Sequence, residues 1–414
     1  MRTILRNMAT KERSAAIGFI FITLLVDIIG WGIIIPVMPA LISQLIHGGP
    51  SDASRIGGWI MFCYAVMQFF CAPILGNLSD RYGRRPIILA SLIGFAIDYV
   101  ILAIAPSILW RFIARIIAGI TGASITTASA FIADISTEEN RAKNFGMIGA
   151  AFGLGFIIGP VLGGILGQYG ARVPFWAAAV LCLLNFLYGY FILPESLPFE
   201  KRRAFDWKRA NPVGSFRIFR QYPLIKGLAT AIFLSFIAAH AVNSNWSFFT
   251  MYRFGWDEKM VGISLGVVGF TVALVQGGLI RWTSKTLGNK KSIVIGLMLY
   301  SLGMFLFAFA DKTWMMFAFL VPYCLGGIAG PALQSVISAQ VPASEQGALQ
   351  GALTSLTSLT TIIGPPLMTG LFYQFTRSTA PPHFPGAPFF MGGICYFLSL
   401  LVAYSAFKKE RNFN

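Results

Sequence analysis

The sequence predicts an all-α membrane protein in which twelve transmembrane helices form two six-helix bundles. Composition is the first observation behind this prediction: of 414 residues, 56% are hydrophobic and only 12% are charged, and the mean hydropathy is +0.69. Soluble proteins carry about a quarter charged residues, and a soluble fold of this size could not hide so much apolar surface. We therefore expect a polytopic protein embedded in the lipid bilayer.

The spacing of apolar runs gives the number of spans. A helix needs about 20 residues to cross about 30 Å of hydrocarbon, and twelve runs reach that length between charged residues or Pro/Gly clusters. The first run is too long for a signal peptide. The predicted spans lie near 15–45, 56–78, 86–106, 109–134, 145–167, 173–193, 225–250, 260–283, 292–310, 314–340, 347–374 and 387–407.

The distribution of basic residues predicts the orientation. The formal net charge of +16 does not indicate a nucleic-acid partner, because 24 of the 32 Lys and Arg fall at the termini or in loops on one side. Seven fall in the opposite loops, and Arg115 lies inside span four. By the positive-inside rule both termini and the middle loop are cytoplasmic. We therefore predict a multi-pass protein of the cell membrane, and specifically of a bacterial inner membrane.

An internal repeat predicts the division into two bundles. "FIIGPVLGG" at 156–164 in span five corresponds to "TIIGPPLMTG" at 361–370 in span eleven, with an offset of 205 residues. "GITG" at 119–122 and "GIAG" at 327–330 are offset by 208. The predicted domains are an N-terminal bundle (1–193), a cytoplasmic linker loop (194–224) and a C-terminal bundle (225–414). This layout resembles the major facilitator superfamily, whose halves are parallel repeats.

A polar motif after span two strengthens that resemblance. "GNLSDRYGRRPI" at 76–87 resembles the superfamily signature G-x-L-x-D-R-x-G-R-R. The resemblance implies a latch on the cytoplasmic gate, with Asp134 at the end of span four as the partner of Arg84; the alternative is that the basic residues only anchor topology. The corresponding loop of the second half carries Lys285 at the acidic position, so we expect a one-sided latch. The gating residues predicted from this motif are Gly76, Asp80, Gly83, Arg84 and Asp134.

Span five carries a second motif. "GAAFGLGFIIGPVLGG" at 149–164 has small residues that let helices touch, and Pro160 introduces a kink. The segment resembles the signature of antiporters in the drug/proton branch of the superfamily, so Gly159 and Pro160 join the predicted gating residues. A Gly-rich packing face is equally consistent with this pattern.

Ionisable residues inside spans are the candidates for proton coupling, because each costs a few kcal/mol at the bilayer centre. Helix rise places Asp27 in span one and Asp98 in span three about 18 Å deep, near the level of Arg115. His240 in span seven reaches a similar depth. We expect Asp27, Asp98 and Arg115 to couple protons to transport; the alternative for each is a neutralised charge without a transport role.

Polar residues in the spans are candidates for the substrate path, although each could equally hold helices together by hydrogen bonds. The candidate substrate-binding residues are Gln68, Asp98, His240, Asn243, Trp246, Gln276 and Gln334.

The chain resembles the twelve-span tetracycline/proton antiporters along nearly its whole length. The similar segments include "VDIIGWGIIIPVMPALI" (26–42), "RIIAGITGA" (115–123) and "FFTMYRFGW" (248–256). The resemblance assigns the family's intramembrane charges to Asp27, Asp98 and Arg115, and matches Gln68, Gln276 and Gln334 to its substrate path. Two positions depart: Tyr300 replaces the acidic residue of span nine, and Val272 replaces a histidine of span eight. In that family both residues belong to the transport and proton machinery, and its metal–drug substrate needs acidic side chains nearby, so the resemblance implies export by proton exchange without implying tetracycline as the substrate.

The predicted function is proton-coupled antiport that exports small amphipathic molecules, as in drug or tetracycline-like efflux, by alternating access. The proton gradient drives it, no metal or other cofactor is expected, and the protein is predicted to be a monomer. The alternative is a proton-coupled symporter for uptake of a small metabolite, while a facilitator without ion coupling would not need Asp27 or Asp98. No enzyme is expected, because "GISLG" (262–266) lies within a helix and lacks the strand–turn–helix elbow of a hydrolase.

Overall fold

The computed structural model describes residues 2–136, 140–205, 218–342, 345–379 and 382–413, and these are helical with short connections. The predicted all-helical membrane fold is confirmed. Part of the predicted linker, 206–217, lies outside the described residues. The α-helices are α1 (Arg2–Ile34), α2 (Met38–Ile46), α3 (Pro50–Tyr82), α4 (Arg84–Ile104), α5 (Ile108–Thr121), α6 (Ser124–Ile135), α7 (Arg141–Gly167), α8 (Val173–Ile192), α9 (Ile218–Gln221), α10 (Pro223–Phe254), α11 (Glu258–Leu274), α12 (Ile280–Thr286), α13 (Gly288–Ala308), α14 (Thr313–Leu325), α15 (Ala329–Ser338), α16 (Gln346–Thr376) and α17 (Ala387–Phe413).

Eleven spans among the described residues are long and apolar enough to cross a membrane. The predicted eleventh span, 347–374, corresponds to α16, which has 31 residues but is rich in Thr, Ser and Gly and is not among those eleven.

Four of the predicted spans are interrupted helices. Span one, predicted over 15–45, is divided between α1 and α2 at residues 35–37. Span four is divided between α5 and α6 at Gly122, span eight contains a π-helix at Val275–Leu279, and span ten contains a 3₁₀ turn at Gly326–Ile328. The apolar runs predicted continuous spans, because apolar composition is the same on both sides of each break. Irregular backbone at membrane depth is tolerated where it is buried in protein or lines a cavity, and π-turns are frequent at functional sites.

The chain divides into two compact units. Unit 1 contains Met1–Met38 and Val66–Asn211, and unit 2 contains Pro39–Ala65 and Pro212–Asn414. The boundaries of the two predicted bundles remain a prediction, since the first half of α3 groups with unit 2.

The core of unit 1 is an apolar cluster in which α1 meets α4, α6 and α8. Phe19, Ile20, Leu92 and Phe131 are fully buried in it. On another side, α1 packs against α7 through glycines: a Cβ built on Gly159 would lie 2.8 Å from the Cα of Gly32. This close approach requires glycine at both positions.

In unit 2, α3 begins in direct contact with α16. The Ser51 hydroxyl is 2.5 Å from that of Thr376, and the Arg55 guanidinium lies 5.3 Å from the centre of the Tyr373 ring. A Cβ on Gly58 would overlap the Thr369 hydroxyl, so the two helices touch at this level. The outer end of α3, by the predicted topology, is thus held by hydroxyl and cation–π contacts.

Candidate functional site

A buried ion pair joins α4 and α5 in unit 1. The Arg115 guanidinium donates from Nε to Asp98 Oδ1 at 3.1 Å and from Nη2 to Asp98 Oδ2. Asp98 is 0% exposed and Arg115 is 6% exposed, so both charges are desolvated. The bidentate geometry offsets that desolvation, and loss of either partner would leave a buried lone charge. The structure therefore brings together two of the three residues predicted to couple protons.

The third predicted residue, Asp27 on α1, has no such partner. Its side chain is 8% exposed, and both carboxylate oxygens are fully buried without a hydrogen bond in the described part of the chain. Ser124 and Cys182 flank the carboxylate. Asp27 forms no ion pair in the described part of the chain, and a buried carboxylate without a cation is charged only at a large desolvation cost, so Asp27 fits a proton-bearing group better than Asp98 does.

Asn185 on α8 extends this polar region and is absent from the sequence-based candidates. It is 3% exposed, and its amide donates from Nδ2 to the carbonyl oxygen of Thr23, one helical turn before Asp27. Its Oδ1 and the Thr23 hydroxyl lack hydrogen-bond partners among the described residues. Two buried oxygen atoms that can accept hydrogen bonds therefore belong to residues at and next to the turn before Asp27. In the sequence, Asn185 stands out only as a single Asn in an otherwise apolar run.

Gln68 lies at the break in span four. Its amide donates from Nε2 to the carbonyl oxygen of Gly122 at 3.2 Å, where the chain passes from α5 to α6. The side chain satisfies a carbonyl group that the helix has released, as irregular backbone in a membrane requires. Its role toward substrate stays a prediction.

The other predicted substrate residues lie in unit 2, in different surroundings. His240 packs directly on the backbone of α16 at Gly364, and Asn243 is exposed. Trp246 is 2% exposed and donates to the Ser264 hydroxyl at 2.8 Å, a position that favours packing. Gln276 is exposed within the π-helix, while the Gln334 amide donates to Gln350 at 3.2 Å.

The predicted latch residues are in contact. Arg84, at the start of α4, lies 2.5 Å from Asp80 through Nη1 and donates from Nε to Asp134 Oδ2 at 3.1 Å. It also donates to the Ser79 hydroxyl at 2.6 Å. Gly83 permits the turn between α3 and α4, because its φ of 106° is accessible mainly to glycine. Gly76 has open space where a side chain would point.

Glu195, which follows α8, completes this cluster and was not predicted. Its Oε1 accepts the backbone N–H of Arg84 at 2.8 Å and of Leu197 at 3.0 Å, and its Oε2 accepts that of Arg85 at 3.3 Å. The carboxylate therefore caps the N-terminus of α4, where the helix dipole favours negative charge. A cavity of about 540 Å³ opens beside these groups; its lining residues are Asp80, Arg84, Asp134, Leu197, Glu200, Arg202 and Arg203.

At the corresponding end of unit 2, the hydrogen bonds described next join two uncharged side chains, or one uncharged side chain and one carboxylate. The Asn289 amide donates to the Ser335 hydroxyl at 3.0 Å, between the start of α13 and the end of α15. Tyr222, before α10, donates to Glu345 Oε2 at 3.0 Å. That hydrogen bond raises the pKa of Tyr222 above its ordinary value, because the phenolate could not donate it.

Comparison with known proteins decides the family. The sequence profile of the Major Facilitator Superfamily matches residues 20–285 and 228–412, which cover both halves. The chain belongs to this superfamily. Among solved superfamily structures, the human organic anion transporter MFSD10 (TETRAN) superposes with a TM-score of 0.70 over 94% of this chain and 99% of its own, at 24% identity. The nucleoside transporter NupG superposes with a TM-score of 0.75 over 95% and 99%, at 14% identity. These two neighbours support the fold.

More similar relatives carry a common description. The class C tetracycline resistance protein of Escherichia coli is 42% identical over 91% of this chain and 93% of its own length. The class H tetracycline resistance protein of Pasteurella multocida is 36% identical over 94% and 96%. The predicted resemblance to the tetracycline family is confirmed. The protein is a multi-pass membrane transporter of small molecules.

Proposed function

We propose that this transporter exports amphipathic aromatic drugs of the tetracycline type from the bacterial cytoplasm, and that Asp27 carries the exchanged proton. The proton gradient is the driving force, the termini face the cytoplasm, and the monomer is the working unit. No nucleic acid takes part.

The single observation that carries this proposal is the contrast between the two acids of unit 1. Asp98 is held by Arg115, whereas both oxygens of Asp27 are buried without a hydrogen bond in the described residues. An unpaired buried carboxylate binds a proton when its surroundings are dry and releases it when water or a cation reaches it. Such a group can alternate between the two sides of a membrane during the transport cycle.

The second half of the chain favours an uncharged or weakly charged drug as the substrate. Tyr300, at the position of the family's span-nine acid, stacks on Tyr396 with ring centres 4.7 Å apart and meets Tyr323 edge-on at 5.2 Å. The predicted spans of this half contain no Asp or Glu. A positively charged metal–drug complex would find no carboxylate there, so we expect export without a divalent metal ion bound to the drug.

The experiment is proton movement in proteoliposomes that contain the purified protein. Vesicles are challenged with tetracycline and with a panel of cationic, neutral and anionic drugs, with and without EDTA. We expect substrate-linked proton release from acid-loaded vesicles that persists in EDTA and is lost in Asp27→Asn. Asp311→Asn, an exposed loop carboxylate, is the matched control.

Three results would contradict the proposal. Proton flux in the same direction as substrate would identify the alternative, a symporter for uptake. Unchanged coupling in Asp27→Asn would exclude Asp27 as the carrier. Loss of transport in EDTA would show that the drug travels with its metal ion despite the aromatic cluster.

A further inference from the structure

Tyr99 lies between the two acidic sites of unit 1. It follows Asp98 on α4 and is 4% exposed. The Arg115 guanidinium carbon is 5.9 Å from the centre of its ring, within the range of a cation–π contact. The ring of Tyr99 therefore forms part of the surface on which Arg115 rests while it holds Asp98.

The hydroxyl end of Tyr99 reaches the helix that carries Asp27. A Cβ built on Gly30 would lie 3.4 Å from the Tyr99 hydroxyl oxygen, and its three nearest atoms all belong to the Tyr99 side chain. Gly30 is three residues beyond Asp27, on the same face of α1. Helical Cβ atoms lean toward the N-terminus, so the space beside Gly30 lies over the turn that contains Asp27. The hydroxyl occupies that space.

We propose that Tyr99 is a positioning residue that links the charge state of Asp27 to the position of Arg115. The phenol hydroxyl donates a hydrogen bond to a carboxylate more strongly than to a neutral carboxylic acid. When Asp27 loses its proton, the hydroxyl is drawn toward it, and the ring beneath Arg115 moves with the hydroxyl. One rigid side chain thus connects the proton carrier with the ion pair. The inference rests on the proposed role of Asp27.

The test separates proton coupling from transport itself. Tyr99→Phe keeps the ring and removes only the hydroxyl. In proteoliposomes, counterflow exchange of labelled drug across vesicles without a proton gradient reports binding and alternation, and substrate-driven proton release reports coupling. We expect the rate of counterflow in Tyr99→Phe to stay within about twofold of the parent protein. The number of protons released per drug molecule should fall about tenfold, because the loss of one hydrogen bond to a charged group changes an equilibrium constant by about that factor.

Gly30 supplies a second, independent perturbation. Gly30→Ala adds a Cβ at ordinary contact distance from the hydroxyl and should leave coupling intact. Gly30→Val adds methyl groups beyond that Cβ, which would crowd the hydroxyl, and should reduce coupling as Tyr99→Phe does. The double variant should be no worse than either single one, because both act on one contact. Tyr188→Phe, on a ring that stacks with Phe19 at 4.7 Å in the same unit, is the control.

The outcomes are distinguishable. If the parent protein couples protons to drug and Tyr99→Phe keeps the same ratio, the inference is wrong while the proposed function stands. Additive losses in the double variant would also overturn it, since two independent contacts would then be involved. If the parent protein moves no protons with drug, the proposed function fails, and the inference fails with it.

Discussion

Replacement of Glu195 by glutamine removes one negative charge from the start of α4 while keeping the shape of the side chain. The carboxylate accepts three backbone N–H groups, two of them from the first residues of α4. Glutamine retains an acceptor at one oxygen position, but its amide NH₂ would face the N–H of Arg85. The expected cost is about 0.5–1.5 kcal/mol for one lost hydrogen bond and about 0.3–1 kcal/mol for the lost interaction with the helix dipole.

The assay is thermal unfolding in detergent, followed with a dye that becomes fluorescent on reaction with thiols. Cys182, Cys324 and Cys395 are buried and react only when the helices separate. A loss of about 1–2 kcal/mol should lower Tm by about 3–6 °C, by the scaling for domains of 150–250 residues. Glu195→Ala, which removes every acceptor, should lower it further.

Glu200→Gln is the control, because Glu200 lines the same cavity and is exposed. It tests whether any loss of negative charge from this cavity destabilises the protein. If Glu200→Gln and Glu195→Gln lower Tm equally, the capping argument is refuted and only the net charge of the cavity matters. If neither changes Tm, the contacts to the α4 N-terminus contribute nothing measurable.

Two further predictions concern contacts inside each unit. Asp98→Asn removes the carboxylate that neutralises the buried Arg115 guanidinium, so we expect a loss of about 3–5 kcal/mol in the free energy of unfolding. The double variant Asp98→Asn/Arg115→Gln should recover most of that stability without recovering transport, as thermal unfolding and drug counterflow would reveal. Gly58→Val should force α3 away from α16 and cost about 1–3 kcal/mol. Gly49→Val, where a side chain has open space, should leave Tm unchanged, and equal shifts for both would exclude the helix contact as the cause.

The sequence predicted contacts well where charge or a known motif marked them. Helix rise placed Asp98 and Arg115 at one depth, and the structure pairs them. The motif after span two implied that Arg84 meets Asp134, and they are in contact. In both cases the physical cost of an unpaired charge restricts the possible partners so strongly that depth alone is informative.

The residues that sequence reasoning missed act through geometry that the chain order hides. Glu195 looks like an ordinary loop carboxylate until α4 is seen to begin beside it. Tyr99 is one aromatic residue among many in apolar runs, and only the absence of a side chain at Gly30 gives its hydroxyl access to α1. The π-helix at Val275–Leu279 has the same apolar composition as the regular helix around it, so hydropathy could not reveal it.

The energy available per cycle constrains how the Asp98–Arg115 pair can take part in transport. One proton that enters down a potential of about 100 mV and a pH step of one unit supplies together about 3.7 kcal/mol. Separation of a buried pair into two lone charges costs about 3–5 kcal/mol for the loss of one partner alone. A proton cannot drive that separation and also concentrate a drug. We therefore expect Arg115 to exchange partners without ever losing one.

Within the predicted spans of the N-terminal half, the acids other than Asp98 are Asp27 and, at the end of span four, Asp134. Asp134 is engaged with Arg84. Asp27 is the remaining carboxylate that can receive Arg115 once Asp27 has released its proton, and the Tyr99 ring is already in contact with Arg115.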